Sequence, residues 1–273
     1  MTPLVTAFIF VFGAIVGSFL NAVLWRLHSG ESIAHGRSHC PACMHVLGVA
    51  DLIPVASWLL LGGKCRYCRK EIGVGYLVIE LVTGALFVLA AQVAFGAGEP
   101  GGIALIGSAS DGALSGRAIA ALLLHWYFLA IMVVVFTFDL RHMLILRSVT
   151  MPATLVALAA NLALGRSPMD LAIGVAVGAG IFWVQYALSK GRWIGGGDIH
   201  LGALMGAMLG WKLALAAVFM AYMVGAAYGI AVLLMRKKEW KSEIPFGTFL
   251  SVSTGLMLLY GERIVTWYFG LLS

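Results

Sequence analysis

Seven stretches of this chain, near residues 4–25, 76–97, 118–138, 148–165, 168–189, 212–235 and 247–270, are apolar over the length a helix needs to cross a bilayer. About 30 Å of hydrocarbon takes ~20 residues at ~1.5 Å each. Only segments that satisfy their own backbone hydrogen bonds are stable there, which leaves helices or a closed barrel, and continuous apolar runs select the helix. The chain is therefore expected to be an all-α, polytopic membrane helix bundle. An eighth stretch, 199–210, is short for a full crossing and reads as a tilted or partial helix. Composition agrees: 61% of the 273 residues are hydrophobic and 11% charged, against roughly a quarter charged in soluble domains. A water-soluble exterior could not be built from so few charges.

The net charge of +6 does not point to nucleic acid. The basic residues fall in short clusters between the apolar runs, as in loops beside a lipid bilayer. The first run has no basic residue ahead of its apolar core and is followed by Arg26 rather than a small-residue cleavage site, so it reads as an anchor rather than a secretory signal. With the N-terminus outside and eight crossings, 14 Lys and Arg residues lie on inward segments, including Arg26, Lys64, Arg141, Arg147, Lys190 and the Arg236–Lys241 cluster. Four lie outside: Arg117, Arg166, Lys212 and Arg263. Seven crossings would put Arg236–Lys238 outside, against the positive-inside bias, so about eight transmembrane segments fit best. Residues 98–117, rich in Gly, Ser and Ala, are expected to form an outward loop.

All four cysteines lie in the inward segment 26–75, as Cys40-Pro-Ala-Cys43 and Cys65-Arg-Tyr-Cys68. Two residues between cysteines let both thiolates face one point, and two such knuckles complete a tetrahedral zinc site with no open position. Disulfides or unligated thiols are the alternatives, but the reducing cytoplasm opposes disulfides. Such a site is structural, a staple for a loop too small to build its own core. His39 and His45 flank the first knuckle and read as solvated loop residues.

Few acids lie in or against the apolar runs. Asp139 ends the third run, Asp198 opens the short stretch after Gly195-Gly196-Gly197, and Glu80 lies in the second. Ionisable groups at such depth cost about 2.5–3.5 kcal/mol on insertion and are functional candidates by default. The orientation places Asp139 and Asp198 at the same, cytoplasmic boundary, where two carboxylates sharing a proton can act as acid and base. The glycines let a peptide backbone approach closely. Taken alone, an Asp at a helix end is also an ordinary cap, and intramembrane acids also mark ion pathways, so a small membrane transporter or ion-binding protein is the rival reading. Glu80 reads as a buried partner for an arginine or a backbone group. No H-E-x-x-H is present, and neither Ser18 nor Ser57 has a histidine set beside it in any recognisable pattern, so metalloprotease and serine-protease chemistry are disfavoured.

In combination these features resemble the type IV prepilin peptidases, bacterial GxGD aspartyl proteases. The landmarks run in the family's order: Gly17-Ser18-Phe19-Leu20-Asn21, Arg26-Leu27, His39-Cys40-Pro41-Ala42-Cys43, Asp51-Leu52-Ile53-Pro54, Ser57-Trp58-Leu59, Gly63-Lys64-Cys65-Arg66-Tyr67-Cys68, Tyr76 to Glu80, Asp139, Gly195-Gly196-Gly197-Asp198 and Pro245-Phe246-Gly247. The resemblance implies cleavage of a basic leader from type IV prepilins or type II secretion pseudopilins at the cytoplasmic face of the bacterial inner membrane, with Asp139 and Asp198 as the catalytic pair. It also implies N-methylation of the new terminus with S-adenosylmethionine, tied to the cysteine insert. The implied organisation is a first helix (1–25), a tetracysteine insert linked to methyl transfer (26–75) and a protease domain (76–273). No residue pattern places the methyl donor. Glu31, Asp51 and Glu71 read as solvated loop charges. The chain departs from the family pattern at Leu146-Arg147 (usually Pro-Asp or Pro-Asn), at His200 (usually Lys), at Thr248 (usually Pro) and at Leu77 (usually Pro).

Overall fold

A computed structural model describes residues 1–95, 116–235 and 245–271, and its chain divides into two compact units, Met1–Phe95 and Gly96–Ser273. The loop expected at 98–117 lies almost wholly outside the described residues, as does the basic cluster Arg236–Lys241.

In the first unit, α1 (Pro3–Ser29) starts where Thr2 accepts the Val5 N–H and Pro3 presets the first turn. It stops at Gly30, whose φ of 74° places it in the left-handed region. α1 packs along α3 (Val74–Phe95) through glycines. A Cβ added at Gly13 would lie 2.8 Å from the Gly84 Cα, and one at Gly17 2.7 Å from the Glu80 Cα. In lipid, where apolar burial gives no net drive between helices, such close backbone approach is what holds a pair together. α3 is thus the packing partner of α1. Between them runs the insert, which contains a 3₁₀ turn (Val49–Asp51) and the short α2 (Ala56–Leu60).

The second unit contains, among the described residues, α4 (Gly116–His142), α5 (Arg147–Ala163), α6 (Pro168–Ser189), α7 (Gly196–Leu209), α8 (Trp211–Leu234) and α9 (Phe246–Gly270). α7 is its core: Leu201, Leu204, Met205 and Ala207 are fully buried. α6 meets α7 backbone to backbone, because Gly174 and Gly178 face Gly206 and Gly202, and an added Cβ at Gly178 or Gly206 would strike the opposite carbonyl. Small residues at this spacing carry the closest packing available to membrane helices. α8 packs on α9, and α9 on α4.

Every apolar stretch read from the sequence thus corresponds to a helix. By length and composition five of them, α1, α3, α4, α6 and α8, suffice to cross a membrane. The stretch 199–210, expected to be a tilted or partial helix, lies in α7, whose 14 residues rise about 21 Å.

Candidate functional site

The second unit brings Asp139 and Asp198 to one cavity of 820 Å³. α4 ends one turn after Asp139, where Met143 takes a left-handed conformation (φ 51°) and returns its N–H to the Asp139 carbonyl at 2.8 Å. α7 begins at Gly195, and Asp198 in its first turn accepts the Gly195 N–H through Oδ2 at 3.1 Å. Asp198 is thus a helix-capping group, as the plainer sequence reading allowed, and it also lines the cavity. Both residues are buried, at 4% and 8% exposure.

What draws the two helix ends together is Ile145. It wedges between Gly197 at the start of α7 and Gly247 at the start of α9, and a Cβ at either glycine would approach it to 2.8 Å. At Gly247 that Cβ would also press to 3.0 Å on the Asp139 carboxylate. Beside it, Thr248 donates twice to Asp139 Oδ2, from its N–H at 2.7 Å and its hydroxyl at 3.0 Å. The family pattern has proline here, which has no N–H to give. This departure therefore supplies Asp139 with two donors. Arg147, another departure, lies beside the same loop, its guanidinium 3.6 Å from where a Gly196 side chain would start. Sequence reasoning missed a third feature, the hydrogen bond from the Tyr222 hydroxyl to Gln185 Oε1 at 2.8 Å on the cavity wall. An amide within an apolar run was the signal that could have found it.

In the first unit the four cysteines converge, their sulfurs all within 4.8 Å of one another. The two knuckles are built alike. Cys40 N–H bonds to the His45 carbonyl and Met44 N–H to that of Cys40, while Cys65 N–H bonds to Lys70 and Arg69 N–H to Cys65. The residue after each second cysteine, Met44 or Arg69, turns back at φ near 60°. No disulfide joins these cysteines. The Cys40–Cys68 separation of 3.8 Å matches the edge, also about 3.8 Å, of a tetrahedron with metal–sulfur bonds of ~2.3 Å. The donor set and spacing thus fit a metal ion. Neither neighbouring histidine joins it: His45 stacks on Tyr67 with ring centres 3.6 Å apart, and His39 lies 3.8 Å from Glu31.

Asp51 corrects the expectation of a solvated charge. Its side chain is 6% exposed and accepts hydrogen bonds from Arg66 Nε (2.6 Å), the Tyr67 hydroxyl (3.0 Å) and Gly48 N–H (3.1 Å). The Arg66 guanidinium holds its carboxyl below the usual carboxylate range. Asp51 thereby ties the 3₁₀ turn to the second knuckle. Arg26 fixes the entry to the insert by donating to the Ile33 and Gly36 carbonyls, both at 2.8 Å. Glu80 behaves as read, its Oε2 accepting the Val55 N–H at 2.7 Å. Val55 itself sits at φ 61°, ψ −53°, with the Ala56 N–H 2.5 Å from the Pro54 carbonyl. This is a γ-turn of the strained, positive-φ hand.

With that geometry in place, comparisons with known proteins define the family. Residues 11–94 match the Bacterial Peptidase A24 N-terminal domain, and residues 126–230 match the Type IV leader peptidase family. The chain is 31% identical over 290 residues to the prepilin leader peptidase/N-methyltransferase of Aeromonas salmonicida (strain A449), covering 95% of this chain and 92% of that one. It is 33% identical over 264 residues to the Bacillus subtilis (strain 168) protein of the same name, covering 95% and 96%. Against the Myxococcus xanthus (strain DK1622) protein, also so named, identity is 35% over 237 residues, covering 85% and 64%. No solved structure matches the chain. The chain belongs to the type IV leader peptidase family and is a multi-pass membrane protein. None of these relatives is named as a transporter.

Proposed function

We propose that this chain cleaves the leader from type IV prepilins or type II secretion pseudopilins at the cytoplasmic face of the inner membrane, and then N-methylates the new terminus. The observation that carries the cleavage reading is the pair of buried carboxylates, one at the end of α4 and one at the start of α7, on the wall of a single cavity. Oδ2 of each is already engaged, by Thr248 or by Gly195, which leaves each Oδ1 for water and substrate.

Asp139, with two donors on one oxygen, suits the carboxylate role, and Asp198 carries the shared proton. Asp139 takes a proton from water as the water oxygen attacks the scissile carbonyl, and Asp198 protonates the carbonyl oxygen. Collapse of the tetrahedral intermediate breaks the C–N bond: the proton held by Asp139 passes to the leaving amine, and one hydroxyl proton of the intermediate returns to Asp198, which restores the starting protonation of the pair. The glycines at 195–197 leave room for an extended substrate backbone. The test is co-expression with a prepilin in cells lacking their own peptidase, scored by pilin size. Maturation by wild type and not by Asp139→Asn or Asp198→Asn is the expected result. Maturation by either variant would remove the dyad from the mechanism.

We assign zinc to the four cysteines, as a closed structural site that staples the insert. We also assign methyl transfer to the first unit and proteolysis to the second. S-adenosylmethionine, when bound there, would supply an electrophilic methyl carbon to the new N-terminal amine. The knuckles, braced by Asp51 and Arg26, give that chemistry a rigid frame.

A further inference from the structure

The first unit encloses a second cavity, of 300 Å³, bounded by α1, the start of α3 and the underside of the cysteine insert. Neither the dyad chemistry nor the metal site uses it. Its volume is at the lower end of the range for small-molecule sites. The walls combine flat aromatic surface (Trp25, Trp58, Tyr76) with a polar floor (Ser18, Asn21, Glu80). The Trp25 indole N–H is buried with no acceptor among the described residues, a donor left unmet in the wall. Trp58 is fixed, its Nε1 donating to the Ile72 carbonyl at 3.1 Å and its ring lying against Gly63. Asn21 Nδ2 donates to the Tyr76 carbonyl at 3.0 Å. Glu80 is 8% exposed and accepts the Val55 N–H at 2.7 Å.

A buried carboxylate with no cationic side chain bonded to it among the described residues, in a pocket that includes aromatic rings, is suited to a ligand that combines a positive charge with a flat ring system. We propose that this cavity holds the S-adenosylmethionine of the methylation reaction. The adenosyl portion lies against the tryptophans, and the sulfonium faces Glu80. The inference rests on the methyltransferase reading and adds to it a location and a charge partner. It also gives the knuckles a purpose beyond stapling: Cys40 and Cys65 line this cavity from the insert side, so the metal would fix the shape of the donor pocket.

The test is calorimetric titration of the purified full-length chain with S-adenosylmethionine and, separately, with S-adenosylhomocysteine, the same nucleoside without the sulfonium charge. Wild type is expected to bind both. Ala22→Phe on α1 and Ser57→Phe on α2, which add bulk at two lining positions, are expected to lose both ligands while eluting and melting as folded protein. Glu80→Gln retains an oxygen for the Val55 N–H but removes the charge. It is expected to weaken S-adenosylmethionine by roughly tenfold or more, the scale of a lost charge-assisted contact, and to leave S-adenosylhomocysteine close to wild type. Equal weakening of both ligands would reduce Glu80 to a brace for the γ-turn and overturn its proposed role. Wild-type affinity in the folded filling variants would overturn the location. The underlying reading is scored separately, by transfer of a labelled methyl group to a leader-free pilin. Transfer by wild type together with undisturbed binding in the variants overturns the inference alone. Neither transfer nor binding by wild type overturns both.

Discussion

Thr248 offers the sharpest check on how the dyad is held. Its N–H and hydroxyl both reach Asp139 Oδ2, at 2.7 and 3.0 Å, in a buried setting. Thr248→Val keeps the side-chain shape and the N–H but deletes the hydroxyl. A hydrogen bond to a charged group contributes about 1.5–3 kcal/mol, and its loss leaves a buried acceptor short of a donor. If that bond orients Asp139 for attack on water, kcat/KM for leader cleavage falls by about 10- to 150-fold, since each ~1.4 kcal/mol is tenfold. Thr248→Ser, which keeps both donors, stays near wild type. The assay is cleavage of a purified prepilin by detergent-solubilised enzyme, with thermal melting run alongside to separate lost orientation from lost fold. A folded Thr248→Val enzyme with wild-type kcat/KM would show that the hydroxyl does not position the carboxylate.

The same reasoning extends to other sites. Gly178→Ala or Gly206→Ala drives a methyl group into an opposing carbonyl, and overpacking of this kind costs about 1–3 kcal/mol or more. A lowered melting temperature is expected for each, and an unchanged one would mean that the helices slide apart freely. Cys40→Ser or Cys65→Ser should reduce bound zinc, measured by elemental analysis, and abolish methyl transfer while leader cleavage continues. Loss of cleavage would refute the assignment of the two activities to separate units. Val55→Gly relieves a positive-φ strain of about 1–3 kcal/mol, so its melting temperature should match or exceed wild type. A clear drop would show that the valine side chain contributes more than the strain takes away.

Much of this was legible in the chain before its structure. The eight helices follow from apolar runs, because lipid enforces helix wherever such a run is buried in it. The knuckles and the two acids were legible because thiolate spacing and membrane depth are local properties. What was not legible depends on neighbours far along the chain. Gly178 and Gly202 read only as small residues until α6 and α7 are laid together. Asp51 looked solvated because nothing in its own segment shows that Arg66 and Tyr67 fold back over it. Thr248 stood out as a departure from a pattern, and its meaning needed a partner 109 residues away.

The glycine contact between α6 and α7 has a mechanical consequence. Helices joined backbone to backbone have no side-chain layer to shear, so Asp198 travels with α6 as one rigid piece. Asp139 is tethered through Thr248 to the start of α9, which packs along α4, while α4 and α7 hardly touch. Each acid thus rides on its own helix pair, and the two pairs are joined where α9 meets α7 and α8 and where Ile145 wedges between Gly197 and Gly247.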